Sequence, residues 1–362
     1  MLADAAYMDR ALSLAARGTG GTTPNPLVGA VVVSPDGVVI GQGYHARAGD
    51  PHAEVHALCA AGPAARNATL YCTLEPCAHH GRTPPCVGRI LDAGIARVVM
   101  AVGDPNPRVA GAGVRALRDA GVRVDTGVGR IDAVVLNQPF FSVMRRGRPW
   151  VVVKIATSLD GRVAAGIGLR TRLTSPATDR RNQVWRASVD AIGVGSETVL
   201  VDDPLLTARD VYRCRPLARV IFDRRLRTPP GARMLSTLAD GPVYVVTTRA
   251  SVEANAGHAR ALESAGATLV TLDRAGLQDA LPVLVGLQIH ALLIEGGPAL
   301  HEAAWRAGLV DEVRVMLTPR ALGPAGVPWV PAHVAPLTAL RHVRIEPCGP
   351  DVIIEGYVHR ID

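Results

Sequence analysis

Aromatic residues make up only 4% of this 362-residue chain, which leaves little material for the stacking platforms that hold single-stranded nucleic acid. Its 39 Lys and Arg against 32 Asp and Glu give a formal charge of +7 and a pI near 9.4, yet the arginines are dispersed rather than massed in a stripe. That balance favours a small anionic partner, such as a phosphorylated substrate, over nucleic acid. No apolar run approaches the ~20 residues of a membrane span. The opening residues, Met1 to Arg10, lack the basic stretch and apolar core of a secretion signal, so a cytoplasmic location away from membranes is expected. Six irregularly spaced cysteines make no disulfide framework and point to a metal or to buried thiols. Internal repeats and low-complexity segments are also missing.

What remains is ordinary globular material, 48% hydrophobic and 20% charged, long enough for two domains. Ala5 to Arg17 has helical spacing, with Met8, Leu12 and Ala15 on one face, and leads into a Gly-, Thr- and Pro-rich turn, Gly18 to Pro26. Apolar runs at Val28 to Val33, Thr69 to Leu74, Arg97 to Val102 and Val122 to Thr126 read as strands. Helical stretches at His52 to Ala61, Pro85 to Ala93 and Val114 to Ala120 separate them. This alternation predicts an α/β sandwich. The basic, helix-breaking Arg145-Arg146-Gly147-Arg148-Pro149 marks a boundary, giving domains over residues 1–146 and 147–362. A second α/β series opens with Trp150 to Ala156. Its further strands are expected at Asp190 to Val194, Arg219 to Phe222, Val243 to Thr247, Ala291 to Glu295, Val313 to Leu317 and Val352 to Val358, and Gly231 to Asp240 reads as a loop.

His52-Ala53-Glu54, Pro76-Cys77 and Cys86 carry the sharpest chemical signal. One imidazole and two thiolates supply three ligands to a tetrahedral Zn²⁺ and leave the fourth position for water, which is the pattern of a catalytic rather than a structural site. A glutamate two residues from the histidine is placed to shuttle protons without binding the metal. H-x-E followed by P-C-x-x-C marks the zinc nucleobase deaminases, but here the spacer between the cysteines is longer, Ala78-His79-His80-Gly81-Arg82-Thr83-Pro84-Pro85. The alternative is a helix-capping His52 with buried thiols. Cys59, Cys72, Cys214 and Cys348 read as core thiols, and His45, His56 and His80 as ordinary polar histidines.

That spacer, Pro24-Asn25-Pro26-Leu27-Val28-Gly29, the stretch from Gly43 to Leu58, and Asp104-Pro105-Asn106-Pro107 together resemble the deaminase half of the bifunctional riboflavin-biosynthesis deaminase-reductases. The resemblance implies a three-layer α/β/α cytidine-deaminase-like first domain. It casts Glu54 as the catalytic acid-base, His52, Cys77 and Cys86 as zinc ligands, and Asn25, His79 and Arg82 as holding the base and ribose phosphate. Asn25 between two prolines has a competing reading as a turn residue.

In the second half, Gly193-Val194-Gly195 and Glu295-Gly296-Gly297 are glycine signals without a complete G-x-G-x-x-G. A strand ending in Gly296-Gly297 before a helix from Pro298 would still offer free amides and a positive helix end to a pyrophosphate. Lys154 to Arg162, Asp190 to Pro204 and Leu206 to Arg209 resemble the reductase half of the same family. What this implies is a dihydrofolate-reductase-like α/β domain that binds NADPH and reduces the ribosyl group to ribityl. Thr157, Thr198, Asp202 and Gly297, Pro298, Ala299, Leu300, His301, Glu302 and Ala303 would line the dinucleotide, and Arg186, Leu206, Arg209 and Glu295 would face the substrate. Leu206 would equally serve as core. Where the family most often reads Ser-x-Trp-Ile-Thr, this chain has Arg170-Thr171-Arg172-Leu173-Thr174, with Arg170 expected at the substrate and Arg172 at the cofactor. The pair suits the 2′-phosphate that separates NADPH from NADH, or forms a solvated basic loop. Arg224 after Asp223 is a further departure.

By this resemblance the chain deaminates 2,5-diamino-6-(5-phosphoribosylamino)pyrimidin-4(3H)-one and then reduces the product to 5-amino-6-(5-phosphoribitylamino)uracil, as a homodimer or tetramer. Open alternatives are a nucleic-acid-editing deaminase, a binding protein with a structural zinc, and a deaminase whose reductase half has drifted out of use.

Overall fold

The computed structural model describes residues 2–78, 84–107, 109–330 and 337–359. The chain divides into two compact units, with the break at Gly147 and Arg148. The first holds β1 (Gly29–Val33), β2 (Val39–Tyr44), β3 (Thr69–Leu74), β4 (Arg97–Val102) and β5 (Arg123–Thr126), in the sheet order β2-β1-β3-β4-β5. β1 runs antiparallel to β2 and β3, and β3, β4 and β5 are parallel. The central strands are apolar throughout because the sheet is covered on both sides. Ala30, Val32, Leu70, Cys72, Val98 and Met100 meet one helical layer, formed by Ala53–Ala61, Cys86–Asp92 and Ala112–Asp119. Val31, Val33, Tyr71, Val99 and Ala101 meet the other, in which Met8, Ala11 and Leu14 of the helix Leu2–Ala16 are buried with Phe140 and Phe141. The result is a three-layer α/β/α unit.

β2 is absent from the strands expected above, and its glycines explain why. A Cβ on Gly41 would lie 2.2 Å from the Ala57 carbonyl oxygen. Small residues let the helix Ala53–Ala61 press onto the strand, and they also dilute the apolar alternation that marks a strand in sequence.

The second unit contributes β6 (Trp150–Ser158), β7 (Arg162–Ala164), β8 (Ala191–Gly195), β9 (Ala218–Phe222), β10 (Val243–Thr248), β11 (Ala267–Leu272), β12 (Ala291–Gly296), β13 (Glu312–Thr318), β14 (Val327–Pro328), β15 (Arg341–Cys348) and β16 (Asp351–Tyr357). Nine of these form one sheet, β11-β10-β9-β8-β12-β6-β13-β16-β15. It is parallel from β11 to β13 and ends in the antiparallel β16 and β15. β7 and β14 pair separately. One face buries Val152, Ile192, Val194, Ile221 and Leu293 with Trp185, and the other buries Val151, Val153, Ile155, Leu292 and Ile294 with Leu281 and Leu284.

Three expectations need correction. The stretch Gly231 to Asp240 is no plain loop. Arg233–Asp240 winds in 3₁₀ turns broken at Thr237, because Met234 and Leu235 plug into the core. Of the four thiols read as core, only Cys72 is buried; Cys59 is exposed and Cys214 and Cys348 are half-buried. His45, read as an ordinary polar histidine, is 2% exposed.

Candidate active sites

His52 stands in extended conformation at the N-terminal end of the helix Ala53–Ala61, and Glu54 lies buried in the first turn. β3 ends at Leu74, and the chain reaches Cys77 through Glu75 and Pro76, while Cys86 opens the helix Cys86–Asp92. Helix N-termini favour negative charge, so a thiolate at Cys86 meets a positive end. His52 Nδ1 is 3.2 Å from Cys86 Sγ and 3.6 Å from Cys77 Sγ. The three donor atoms lie within 4.8 Å of one another. One nitrogen and two sulfurs gathered around a common point fit a zinc ion.

Electrostatics sort the groups around this point. Cys77 accepts hydrogen bonds from Cys86, from its backbone N–H at 3.3 Å as well as its thiol, and is drawn down into the thiolate range, while Cys86 is pushed up in exchange. The hydrogen bond with Cys77 raises His52. Burial pushes Glu54 up, and its Oε2 is a buried oxygen without a hydrogen-bond partner among the described residues. Such an orphan carboxylate oxygen is tolerated where a ligand or substrate proton satisfies it.

A cavity of about 290 Å³ opens over these groups, walled by Asn25, His45, His52, Glu54, Asp104 and Asn106. Asn25 Nδ2 contacts His45 Nε2 at 3.0 Å, and burial lowers His45. The Asp104 wall is tied down by Glu75, whose carboxylate accepts from the backbone N–H groups of Asp104, Gly111, Gly113 and Val114 at 3.0–3.3 Å. His79, His80 and Arg82 lie outside the described residues. The motif reading missed His45 and Glu75. Glu75 adjoins Pro76-Cys77 in sequence, but a carboxylate whose partners among the described residues are main-chain amides leaves no pattern to read.

In the second unit two cavities adjoin, sharing Lys154, Ala156, Val163 and Thr171 in their walls. The first, about 350 Å³, takes Thr198, Asp202, Glu295, Gly297, Pro298, Ala299 and His301. β12 ends at Gly296 and the helix Pro298–Arg306 begins beyond Gly297, whose φ is +81°. A Cβ at Gly296 would lie 3.0 Å from Thr198 Oγ1, so the glycine pair keeps the turn clear at the positive end of the helix, which fits a dinucleotide. The expected row of free amides is shortened, because Pro298 has no N–H and those of Leu300 and His301 donate to Gly297 O. The second cavity, about 660 Å³, is walled by Arg170, Arg172, Arg186, Arg209 and Lys154, with Asp179 as its acidic member. That field suits a phosphate.

Glu295 lines the first cavity and pairs with Arg186 of the second. It accepts from Arg186 Nε and Nη2, both at 2.7 Å, and Arg186 Nη1 donates to Thr207 O at 2.9 Å. Burial alone would raise Glu295, but the Arg186 charge and hydrogen bonds outweigh it and hold the carboxyl near about 2. Burial pulls Lys154 down, opposed by Glu295. Asp202 is raised by burial, opposed by Arg170.

Other residues expected at this site stand elsewhere. Thr157 lines neither cavity, and its single O–H is shared between the carbonyls of Ser158 and Arg162. Leu206 is 3% exposed within the core, and Leu300 packs against the opposite face of the sheet. Glu302 pairs with Arg306 one turn on, and Ala303 is exposed. These follow from helix geometry, since only the first turn after Gly297 faces the cavity. Arg172, expected at the cofactor, lines the second cavity instead and bonds Asp179 at 2.8 Å. Lys154 opens the stretch Lys154 to Arg162, whose resemblance assigns it no role. It is the only lysine in the chain, a signal that composition does carry.

Residues 1–102 match the cytidine and deoxycytidylate deaminase zinc-binding region, and residues 149–354 match the RibD C-terminal domain. The riboflavin biosynthesis protein RibD of Aquifex aeolicus is 42% identical over 320 residues, 88% of either chain. That of Escherichia coli is 40% identical over 370, covering 97% of this chain and 98% of its own. Among solved structures, Acinetobacter baumannii RibD superposes with a TM-score of 0.88 at 35% identity over 99% of both chains. A deaminase/reductase from Thermotoga maritima, named for diaminohydroxyphosphoribosylaminopyrimidine and 5-amino-6-(5-phosphoribosylamino)uracil, gives 0.84 at 30% identity, over 98% of this chain and 99% of its own.

Proposed function

The chain belongs to the RibD family of bifunctional deaminase-reductases of riboflavin biosynthesis, and from that premise we propose how its own residues divide the two reactions. The first unit replaces an amino group of 2,5-diamino-6-(5-phosphoribosylamino)pyrimidin-4(3H)-one by oxygen. His52, Cys77 and Cys86 would hold the zinc ion, which when bound supplies Lewis acidity and lowers the pKa of water. Glu54 Oε2 is the atom that carries the protons, taking one from the attacking water to the ring nitrogen and then a second from the new hydroxyl to the amine, which leaves as ammonia when its C–N bond breaks. Asn25 orients the ring, and His79 and Arg82 are assigned to the substrate on sequence grounds. The observation that carries this half is the orphan Glu54 oxygen beside three convergent soft donors.

The second unit reduces the ribosyl group. NADPH, when bound, supplies the hydride. Thr198, Asp202 and the turn from Gly297 to Ala299, with His301, hold the dinucleotide, while Arg170 and Arg209 take the substrate phosphate. Arg186 fixes the Glu295 carboxylate toward the sugar hydroxyls, and Lys154 stands between the two ligands. With its oxygens in a two-pronged ion pair, Glu295 is an orienting anion first. This reading carries with it a cytoplasmic, homo-oligomeric enzyme, a dimer or tetramer that sedimentation would size.

Glu54→Gln tests the division. The variant keeps its zinc, loses ammonia release by about 10³-fold or more, and still oxidises NADPH when given the deaminated nucleotide. Loss of both activities with the fold intact would contradict independent sites.

A further inference from the structure

Asn25 and His45 form a relay that ends on a backbone carbonyl. Asn25 Nδ2 stands 3.0 Å from His45 Nε2, and His45 Nδ1 stands 3.2 Å from the carbonyl oxygen of Pro51. A carbonyl only accepts, so Nδ1 carries the ring hydrogen. In a neutral ring that leaves Nε2 with a lone pair and no hydrogen. The ring is held in place, since His45 is 2% exposed and its backbone N–H donates to Val28 O at 2.9 Å, and the atom facing Nε2 is Asn25 Nδ2, which only donates. Nε2 can therefore meet Asn25 only through the amide N–H. The amide oxygen is left for the cavity that Asn25 helps to wall.

We propose that His45 is a specificity-determining residue of the deaminase site: its Nδ1–H tautomer, imposed by Pro51, fixes the Asn25 amide with the oxygen toward the substrate. The site then takes a pyrimidine edge that presents an N–H at this point, a ring N–H or an amino group, and rejects one that presents a lone pair. Such an edge would face Oδ1 with both groups unpaired, and turning the amide over would set its hydrogens toward the cavity but its oxygen against the lone pair of Nε2. Discrimination by one buried hydrogen bond of this kind is worth about tenfold to hundredfold in kcat/KM. The proposal rests on the deaminase reading above.

The test uses the zinc-loaded, full-length chain in two arms. In the first, ¹⁵N-labelled histidine rings are observed without substrate, and the His45 signals are identified by their loss in His45→Asn. A neutral Nδ1–H ring is expected; an Nε2–H ring or an imidazolium would overturn the relay. In the second arm, His45→Asn keeps a donor for Pro51 but cannot reach Asn25, and raises the deamination KM about tenfold or more while kcat changes less. His45→Gln, whose longer amide can accept from Asn25, restores most of the loss. One bound zinc per chain in both variants, held by His52, Cys77 and Cys86 of the same unit, shows that the first unit is folded. Equal KM values for wild type, Asn and Gln would overturn the proposal. If the wild type itself releases no ammonia, the deaminase reading fails, and the ring spectrum still decides the relay.

Discussion

Arg186 and Glu295 are 109 positions apart and meet through two 2.7 Å hydrogen bonds, with side-chain exposures of 11% and 6%. Removing one partner of a buried pair strands the other charge and costs about 3–5 kcal/mol. Arg186→Ala is therefore expected to lower the thermal midpoint of the second unit and abolish NADPH oxidation while ammonia release persists. Arg186→Lys keeps the charge but not the planar fork, and should fall between. Unchanged melting in the alanine variant would show that the pair contributes nothing to the fold. At this scale legibility in sequence was uneven. His52, Glu54, Cys77 and Cys86 sit within 35 positions, close enough for spacing alone to propose a metal site. The Arg186 and Glu295 pairing is made by the sheet, so no local pattern could report it, and only resemblance brought both residues forward. Nothing in the sequence neighbours of His45 announces its burial.

Among the elements, the first helix is fastened to the sheet by polar bonds as well as by Met8 and Ala11. Asp4 accepts from Tyr71 Oη at 2.7 Å and from Arg97 Nη1 and Nη2 at 2.8 and 3.1 Å. The hydrogen bond from Arg97, then that from Tyr71, lowers its carboxyl to about 2. A folded value below the unfolded one gives stability that is complete above the unfolded pKa of about 3.9 and is lost as pH falls through the folded value. Discounted for partial solvent screening, Asp4→Asn should cost about 1–2 kcal/mol at neutral pH. Its urea midpoint should converge with that of the wild type between about pH 5 and pH 2. A gap that stays constant down to acid pH would rule out the ion pair as its source. The helix Ala112–Asp119 supplies a second case. A Cβ on Gly113 would lie 2.0 Å from the Pro76 carbonyl oxygen, so Gly113→Ala must displace the segment that carries Cys77. A destabilisation of about 1–3 kcal/mol and a fall in bound zinc are expected, with NADPH oxidation intact; full zinc content would show that the segment yields elsewhere. Strong apolar runs such as β1, β3 and β6 were readable as strands. β2, with its glycines, was not, nor was β15, whose Val343 and Ile345 are exposed among charged neighbours. Strands at an edge need not bury both faces, and their sequences drift from the strand pattern.

At the scale of the whole molecule, each unit has its own sheet, its own cores and its own cavities. Metal removal should therefore separate the activities. Chelation is expected to abolish ammonia release and to leave NADPH oxidation with supplied deaminated nucleotide unchanged, because no zinc-type donor cluster other than His52, Cys77 and Cys86 occurs among the described residues. The most direct measurement is a coupled assay on the zinc-loaded enzyme. It is given the diaminopyrimidine nucleotide, and ammonia is followed first without and then with NADPH or NADH. Ammonia release alone, followed by NADPH oxidation once that cofactor is added, is the predicted result. Ammonia with neither cofactor oxidised would leave a deaminase joined to an altered second unit, and the absence of both signals would contradict the account as a whole.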